Sequence, residues 1–350
     1  MSGTAGNGTS SAKRLPRIAL VGASSLIGEA LLDELRLRKF LFAELHALED
    51  GRTAGAPAGD DAQKFPIGDV AAFDFARVDL AFFCGRAALS ERYAEAAAAH
   101  ALSIDGSSAF RGREDVPLVV ADVNPEALQR IGSRGLIALP GSASVALATA
   151  LAPLQALAPL QRVEVATYHA VSGSGRGAME ELASETVALL SSRKAKGRAF
   201  GKQIAFNVIP HVDTLDEDGV AREERRLWEE TRRVLNCPAL SINATSVRVP
   251  VFFGHSLAVH AAFERPVALG AALAALSRGP GLSVIDPESS TEFPTPATMA
   301  TAPDKVYVGR LRADPTRAEG LNFWLVADNV RKCAAHNAVS VAQILVNRSV

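Results

Sequence analysis

Residues 17–38 read RIALVGASSLIGEALLDELRLR, and their order decides the fold. Ile18 to Val21 make a short apolar run of the kind that forms a buried strand. Gly22 permits a tight turn, and the residues after it place Leu31, Leu32 and Leu35 on one face of a helix. Strand, glycine turn and helix open a dinucleotide-binding unit. Gly22 and Gly28 are spaced as the outer glycines of a G-x-x-G-x-x-G loop, with Ser24, Ser25, Leu26 and Ile27 between them. Gly28 lets helix and strand approach closely. Ser25 takes the middle glycine's place, and its hydroxyl stands near the pyrophosphate path as a possible donor. A Rossmann-like domain that binds no nucleotide remains the other reading of this loop.

The pattern continues outward. LFAELHAL (41–48) supplies a second strand that ends at Glu49 and Asp50, VDLAFFCG (78–85) a third, SERYAEAAAAHAL (90–102) a helix and SIDGSS (103–108) a further short strand and turn. Strands alternating with helices imply a parallel, doubly wound sheet. After about residue 140 the pattern changes. RVEVATYHAV (162–171) and SVRVPVFFGHSLAVHAAFE (246–264) alternate apolar and polar residues, as half-buried antiparallel strands do. Amphipathic helices are expected over 176–190 and 221–235. The fold class is therefore α/β: a Rossmann-type domain over 16–140, then an α+β substrate and dimerisation domain with a mixed sheet over 141–325. A C-terminal helix over 326–350 returns to the first domain, and residues 1–15 form a disordered tail.

Composition bounds the function. Of 350 residues 48% are hydrophobic and 21% charged, with a formal net charge of −1, so the chain is a globular protein with no polyanion-binding surface and no expected nucleic-acid partner. No apolar run approaches the ~20 residues that span a bilayer, and the Gly/Ser/Thr-rich N-terminus lacks the apolar stretch of a signal peptide. Cys84, Cys237 and Cys333 are dispersed, which argues against a disulfide framework and a metal site and fits the cytoplasm. The acidic Glu49 and Asp50 stand where a carboxylate holds the ribose 2′-hydroxyl of NAD, which favours NAD over NADP, while Arg52 offers an offsetting charge. Two solvated loop charges are the plainer alternative.

Longer stretches resemble the aspartate-semialdehyde dehydrogenase family, in order, from about Arg17 to Val346. They are SSAFRGREDVPLVVADVNPEAL (107–128), TYHAVSGSGRGAMEEL (167–182), IAFNVIPHVD (204–213) with REERRLWEET (222–231), VRVPVFFGHSLAVHAAFE (247–264), and the C-terminal segment from Val306 to Leu345. The resemblance implies reduction of an acyl phosphate to a semialdehyde with a nicotinamide cofactor, through a cysteine thioacyl intermediate, in a homodimer that takes a small anionic substrate. It assigns His255 to the acid–base position, Arg248 to the substrate carboxylate, Arg111 and Arg226 to the phosphate, Glu223 to the substrate amino group and Asn329 to the cofactor side. Strand-borne histidine, a cross-sheet salt bridge and a surface Glu223–Arg226 pair are the structural alternatives.

The family's nucleophile motif N-P-N-C-[ST]-T is replaced by LPGSAS (139–144). Pro140 aligns, Leu139 and Gly141 replace both asparagines, and Ser142 replaces the cysteine. His169 replaces a substrate-orienting glutamine, Asp50 a serine at the 2′-phosphate, and Arg86 a second glycine. A thiol near pKa ~8.5 supplies thiolate at neutral pH, whereas an alkyl hydroxyl needs a positioned base and yields an oxygen ester, a poorer hydride acceptor. Ser142 reads either as a helix N-cap or inert replacement, or as a nucleophile served by His255. Cys84 is expected to lie away from this turn. Two functions follow: an oxidoreductase whose ordinary activity is lost or very weak, or a non-catalytic nucleotide- or dicarboxylate-binding regulator, in a homodimer or in a mixed dimer with a catalytic paralogue.

Overall fold

The computed structural model describes residues 14–51, 57–58, 65–132, 135–285, 291–301 and 304–348. The expected tail and Arg52 lie outside the described residues. The first sheet contains β1 (Arg17–Val21), β2 (Glu44–Glu49), β3 (Pro57–Ala58), β4 (Phe65–Asp69), β5 (Leu80–Phe83), β6 (Leu102–Asp105) and β7 (Leu136–Ala138), with α1 (Leu26–Leu37) after β1 and α2 (Ala87–Ala98) after β5. Its spatial order is β3-β4-β2-β1-β5-β6-β7. All neighbours are parallel except the short β3–β4 pair. The chain winds outward from β1 through β2 to β4 and then restarts on the other side at β5. The switch point therefore lies at the end of β1, where open parallel sheets bind ligands.

The glycine turn sits in that notch. Gly22 has φ +87°, and a Cβ on it would lie 2.4 Å from the Gly85 nitrogen; a Cβ on Gly28 would lie 2.3 Å from the Gly22 carbonyl oxygen. Both glycines are thus required by contact, as the spacing implies. Ser25 corrects its expected role. It is the N-cap of α1: its Oγ accepts from Gly28 N at 2.9 Å and donates to the Cys84 carbonyl at 3.0 Å. The hydroxyl proton is committed within the chain and does not point to a pyrophosphate.

α3 (Ser142–Gln155) follows, then β8 (Leu160–His169), α4 (Arg176–Leu190), α5 (Arg222–Val234), β9 (Ser241–Arg248), β10 (His255–Phe263), α6 (Leu269–Arg278), β11 (Leu282–Val284), β12 (Val306–Ala313) and β13 (Gly320–Ala327). The second sheet has the order β11-β12-β13-β10-β8-β9. It is mixed: β10 pairs antiparallel with β8 and β13, but β8 and β9 are parallel. This is the mixed sheet expected for the domain; β8 and β9 alternate as antiparallel strands do, yet they run parallel because α4 and α5 lie between them, and that crossover carries the chain back to run β9 in the same direction.

α3 is apolar on every side, with Ala143 to Leu151 and Leu154 all buried. A helix buried all round needs neighbours all round, and α3 packs against α5, α6 and the second sheet. Val145, Leu147, Leu151 and Leu154 are each at most 1% exposed and contribute about 1.5–3 kcal/mol apiece by burial. The chain ends with a π-helical turn (Arg331–His336) running into α7 (Asn337–Arg348), which packs beside α1. No helix among the described residues is long and apolar enough to cross a membrane.

Gly22→Ala introduces both a backbone clash and an unfavourable positive φ. It should destabilise the protein by ~1–3 kcal/mol, read as a lower denaturant midpoint; wild-type stability in this variant would mean that the turn relaxes freely.

Candidate active site

One cavity of about 440 Å³ runs from the glycine turn to the head of α3. Ser142, His169, His255, Arg111, Arg226, Arg248 and Glu223, scattered over more than a hundred residues of sequence, all line it. Asn329 and Ile27 line it as well. Gly22, Ser24, Ser25, Leu26 and Gly28 form the turn beside it but are not in its wall.

Ser142 is the first residue of α3, and Gly141 is the N-cap without a side-chain cap bond. The N-cap reading of Ser142 is thereby corrected. A buried helix start needs partners for its free N–H groups, and Glu230 on α5 provides one: its Oε2 accepts from Gly141 N at 2.6 Å. Glu230 is 3% exposed, and Arg111 Nη1 stands 3.7 Å from its other oxygen. Arg111 also donates to the Leu139 carbonyl at 2.8 Å and the Gly106 carbonyl at 2.8 Å. It ties the Ser142 turn to the end of β6 while facing the cavity. A Cβ at Gly141 would stand 3.1 Å from Arg111 Nη1 and 3.3 Å from Glu230 Oε2, so these side chains fill the space of an asparagine.

The histidines come from the ends of β8 and β10, with ring centroids 4.5 Å apart. Both are buried. Burial, reinforced by Arg248, pulls His169 down to about 3. Burial, the His169 ring and Arg248 hold His255 well below the usual histidine range. The Ala170 N–H donates to His255 Nδ1 at 3.2 Å. A backbone N–H has no alternative role, so neutral His255 carries its proton on Nε2. That nitrogen lies towards Gly173 in the cavity wall: a Cβ there would be 3.5 Å from it and 3.3 Å from Arg248 Nη1. His255 and Arg248 therefore present hydrogen-bond donors side by side. His169 Nε2 meets Thr167 Oγ1 at 2.9 Å, and Thr167 Oγ1 in turn donates to Ser246 Oγ at 2.9 Å.

Arg248 donates to the Ala170 carbonyl at 2.7 Å and lies over the Phe200 ring at 5.3 Å. Burial pulls it down to about 10, partly offset by Glu223, so it stays charged at neutral pH. Glu223 and Arg226 share a face of α5 as expected, but Arg226 pairs with Asp213 at 2.8 Å rather than with Glu223. Burial, then the Glu230 carboxylate, push Glu223 up to about 7 against the pull of Arg111, Arg226 and Arg248. Asn329 holds the turn before His255: its Oδ1 accepts from Gly254 N at 3.0 Å and its Nδ2 donates to Ser172 Oγ at 3.0 Å.

Cys84 is closer to the centre than expected, since it lines the same cavity as Ser142. Burial and the Asp105 and Glu49 carboxylates keep its thiol protonated. Cys333 lines the cavity too, and burial pushes it up to about 12. Neither supplies a thiolate at neutral pH. Glu230 and Asp213 are functional-site neighbours that the sequence reading missed. Glu230 was findable, being seven residues after Glu223 on the same helix face; Asp213 shows no periodic signal.

At the nucleotide end the wall passes from Ile27 through Cys84, Gly85, Ser107 and Ser108 on one side and Asn329 and Val330 on the other. This path runs from the start of α1 towards Ser142, along the carboxyl ends of the strands where a Rossmann-type domain takes its ligand. Glu49 corrects its assignment: it is 8% exposed and accepts from Ser24 N at 2.8 Å and from Ser24 Oγ at 2.6 Å, so it is neither a solvated charge nor directed at a ribose. Asp50 meets Arg86 at 3.2 Å.

Glu223 and the histidines set opposite pH dependences. A carboxyl held near 7 adds stability below its unfolded value, and that stability is lost as pH rises through about 7. Glu223→Gln should therefore raise the Tm relative to wild type at pH 8 but not at pH 4.5, an effect moderated because water reaches Glu223 through the cavity. His169 is depressed, so its contribution is present above about pH 6.5 and is lost as pH falls towards 3. His169→Gln should flatten the acid limb of the Tm–pH curve. Parallel curves for all three proteins would contradict both assignments.

Residues 17–131 match the family "Semialdehyde dehydrogenase, NAD binding domain" and residues 151–332 match "Semialdehyde dehydrogenase, dimerisation domain". The chain is 40% identical over 329 residues to an aspartate-semialdehyde dehydrogenase of Legionella pneumophila, covering 94% of this chain and 95% of that one. It is 39% identical over 332 residues to a USG-1 protein homolog of Azotobacter vinelandii, covering 95% and 98%. The crystal structure of aspartate semialdehyde dehydrogenase II complexed with ASA from Vibrio cholerae aligns with a TM-score of 0.92 at 37% identity, over 96% of this chain and 99% of that one. With a Rossmann-like NAD(P)-binding domain, a mixed-sheet dimerisation domain and relatives of this identity along nearly its whole length, the chain belongs to the aspartate-semialdehyde dehydrogenase family.

Proposed function

We propose that this protein binds a nicotinamide dinucleotide and a small carboxylate-bearing carbonyl compound in the long cavity between the glycine turn and the head of α3, and that it does not perform thioester chemistry. The observation that carries this reading is the polarity of His255, the histidine that lines the same cavity as Ser142. A serine nucleophile needs a base, and His255 turns a protonated Nε2 to the cavity because Ala170 N–H occupies Nδ1. Cys84 and Cys333 stay protonated and do not substitute. What His255 and Arg248 do supply is a pair of donors for a carbonyl or carboxylate oxygen, with Arg248 able to meet a carboxylate through its planar fork. Glu223 suits a ligand amino group, and Arg111 and Arg226 suit an anionic end, each already balanced in part by Glu230 and Asp213.

A bound nicotinamide would supply hydride transfer. Any oxidoreduction here then proceeds on a free carbonyl, with no covalent intermediate on Ser142. NAD is favoured over NADP through Asp50. The protein works as a homodimer in the cytoplasm, through the dimerisation domain that residues 151–332 match. That match, joined to the missing thiol, also supports a second reading: a non-catalytic subunit that pairs with a catalytic paralogue. Co-expression of the two and recovery of a mixed dimer distinguishes it.

Purified protein should show no phosphate-dependent oxidation of aspartate semialdehyde with either dinucleotide. A turnover within tenfold of the enzyme median of roughly 10 per second would sink the proposal. Ser142→Cys alone should not restore ordinary rates, because Leu139, Gly141 and His169 also differ from the motif.

Arg248→Lys separates the roles of the cations. It keeps the charge and loses the fork, so binding of a small dicarboxylate should weaken more than binding of phosphate, by about tenfold against little change. Equal losses in a calorimetric titration would place the carboxylate elsewhere.

A further inference from the structure

β2 and β5 flank β1, and the glycine turn lies in the notch between their ends. Two charged residues stand on the walls of that notch. Asp50 directly follows β2, and Arg86 is the residue that opens α2 after β5. They meet across it, Arg86 Nη2 donating to Asp50 Oδ2 at 3.2 Å. The ion pair thus spans the carboxyl end of β1, the place where the adenosine half of a dinucleotide rests in an open α/β sheet. Glu49, the neighbouring acid, has turned inward onto Ser24. Among the described residues, Asp50 and Arg86 form an ion pair at this rim, with side chains 37% and 83% exposed.

The geometry points to the Asp50–Arg86 pair as the device by which this chain discriminates a ribose 2′-hydroxyl from a 2′-phosphate. The inference rests on the nucleotide-binding reading above and deepens it. A carboxylate at the end of the second strand accepts a hydrogen bond from a 2′-hydroxyl and repels a 2′-phosphate. A guanidinium does the reverse, since its fork matches phosphate oxygens. An exposed ion pair is weak in water. A 2′-phosphate dianion can displace Asp50 from Arg86, whereas a neutral hydroxyl cannot. The two side chains oppose one another at the 2′ position, so the wild-type preference for NAD is modest, and removal of either one shifts the balance towards the ligand that the other favours.

The test is calorimetric titration of the full-length protein with NAD and NADP, and with the adenosine halves 5′-AMP and 2′,5′-ADP. Wild type should bind NAD a few-fold more tightly than NADP. Arg86→Ala should weaken NADP and 2′,5′-ADP by about tenfold while NAD and 5′-AMP stay within about twofold. Arg86→Lys should fall between Arg86→Ala and wild type. Asp50→Asn should tighten NADP and 2′,5′-ADP by about tenfold and loosen NAD, inverting the preference. Variants that shift all four ligands by one factor, or shift none, overturn the inference while leaving nucleotide binding intact. Wild-type protein that binds none of the four overturns the nucleotide-binding reading itself, and the inference with it.

Discussion

The contact on which the site depends is the buried carboxylate of Glu230 at the head of α3. That helix is buried along almost its whole length, and the first N–H groups of its N-terminus need partners outside the helix. Glu230 accepts from Gly141 N, and an anion at this end also opposes the positive pole of the helix. Arg111 stands against Glu230 and reaches back to the carbonyls of Leu139 and Gly106. The three groups lock the turn carrying Ser142 onto α5 on one side and onto the first sheet on the other. Because Glu223 and Arg226 sit on the same face of α5 as Glu230, the helix that holds the turn also furnishes the cavity wall.

This arrangement accounts for Gly141. The space a side chain would need there is taken by Arg111 and Glu230. Restoring the family motif at that position would push a guanidinium and a carboxylate that are already bonded to backbone groups. The departure at 141 thus has a packing reason, and the polarity of His255 bears on the one at 142. Its Nδ1 is fixed by a backbone N–H from the β8 end, which no side-chain substitution alters. A thiolate at 142 would need only a donor nearby, whereas a hydroxyl needs an acceptor, and the structure offers the donor.

The alternation of strands and helices, the turn geometry of Gly22 and Gly28 and the buried face of α1 follow from period and residue type, and the sequence conveys them directly. The convergence of Arg111, His169, Glu223, Arg248 and His255 does not follow from either; it came from the resemblance of long ordered segments, because no local rule links residues so far apart. Hydroxyl and carboxylate partners were the least legible part. Ser25 and Glu49 carry the residue types of ligand-binding positions, yet both are absorbed by the glycine turn itself. Side-chain direction in a turn depends on which backbone N–H groups are left open, and these are known only once strand ends and helix caps are placed. The parallel β8–β9 pair was hidden for a related reason: alternation shows that one face is buried but says nothing of strand direction.

The two ends of the cavity are kept in register by the segment after β13. Asn329 bonds the turn before His255 and the Ser172 hydroxyl. Lys332, 1% exposed, reaches Asp122 at 2.7 Å. Asn337 accepts from Ala121 N at 2.8 Å and donates to the Val119 carbonyl at 3.1 Å. Arg38 at the end of α1 donates to Ser340 at 2.9 Å. Over these few residues the chain passes from the turn that positions His255 to the helix that opens the nucleotide notch, and at each step the tie is a directional polar bond. Apolar packing alone would tolerate sliding of α7 over α1, since burial is non-directional. Buried amide and ammonium groups do not, because each must keep its partner or lose it outright. The apolar cluster that α7 shares with α1 holds the two together, and these hydrogen bonds fix the register between the glycine turn and the segment that positions His255.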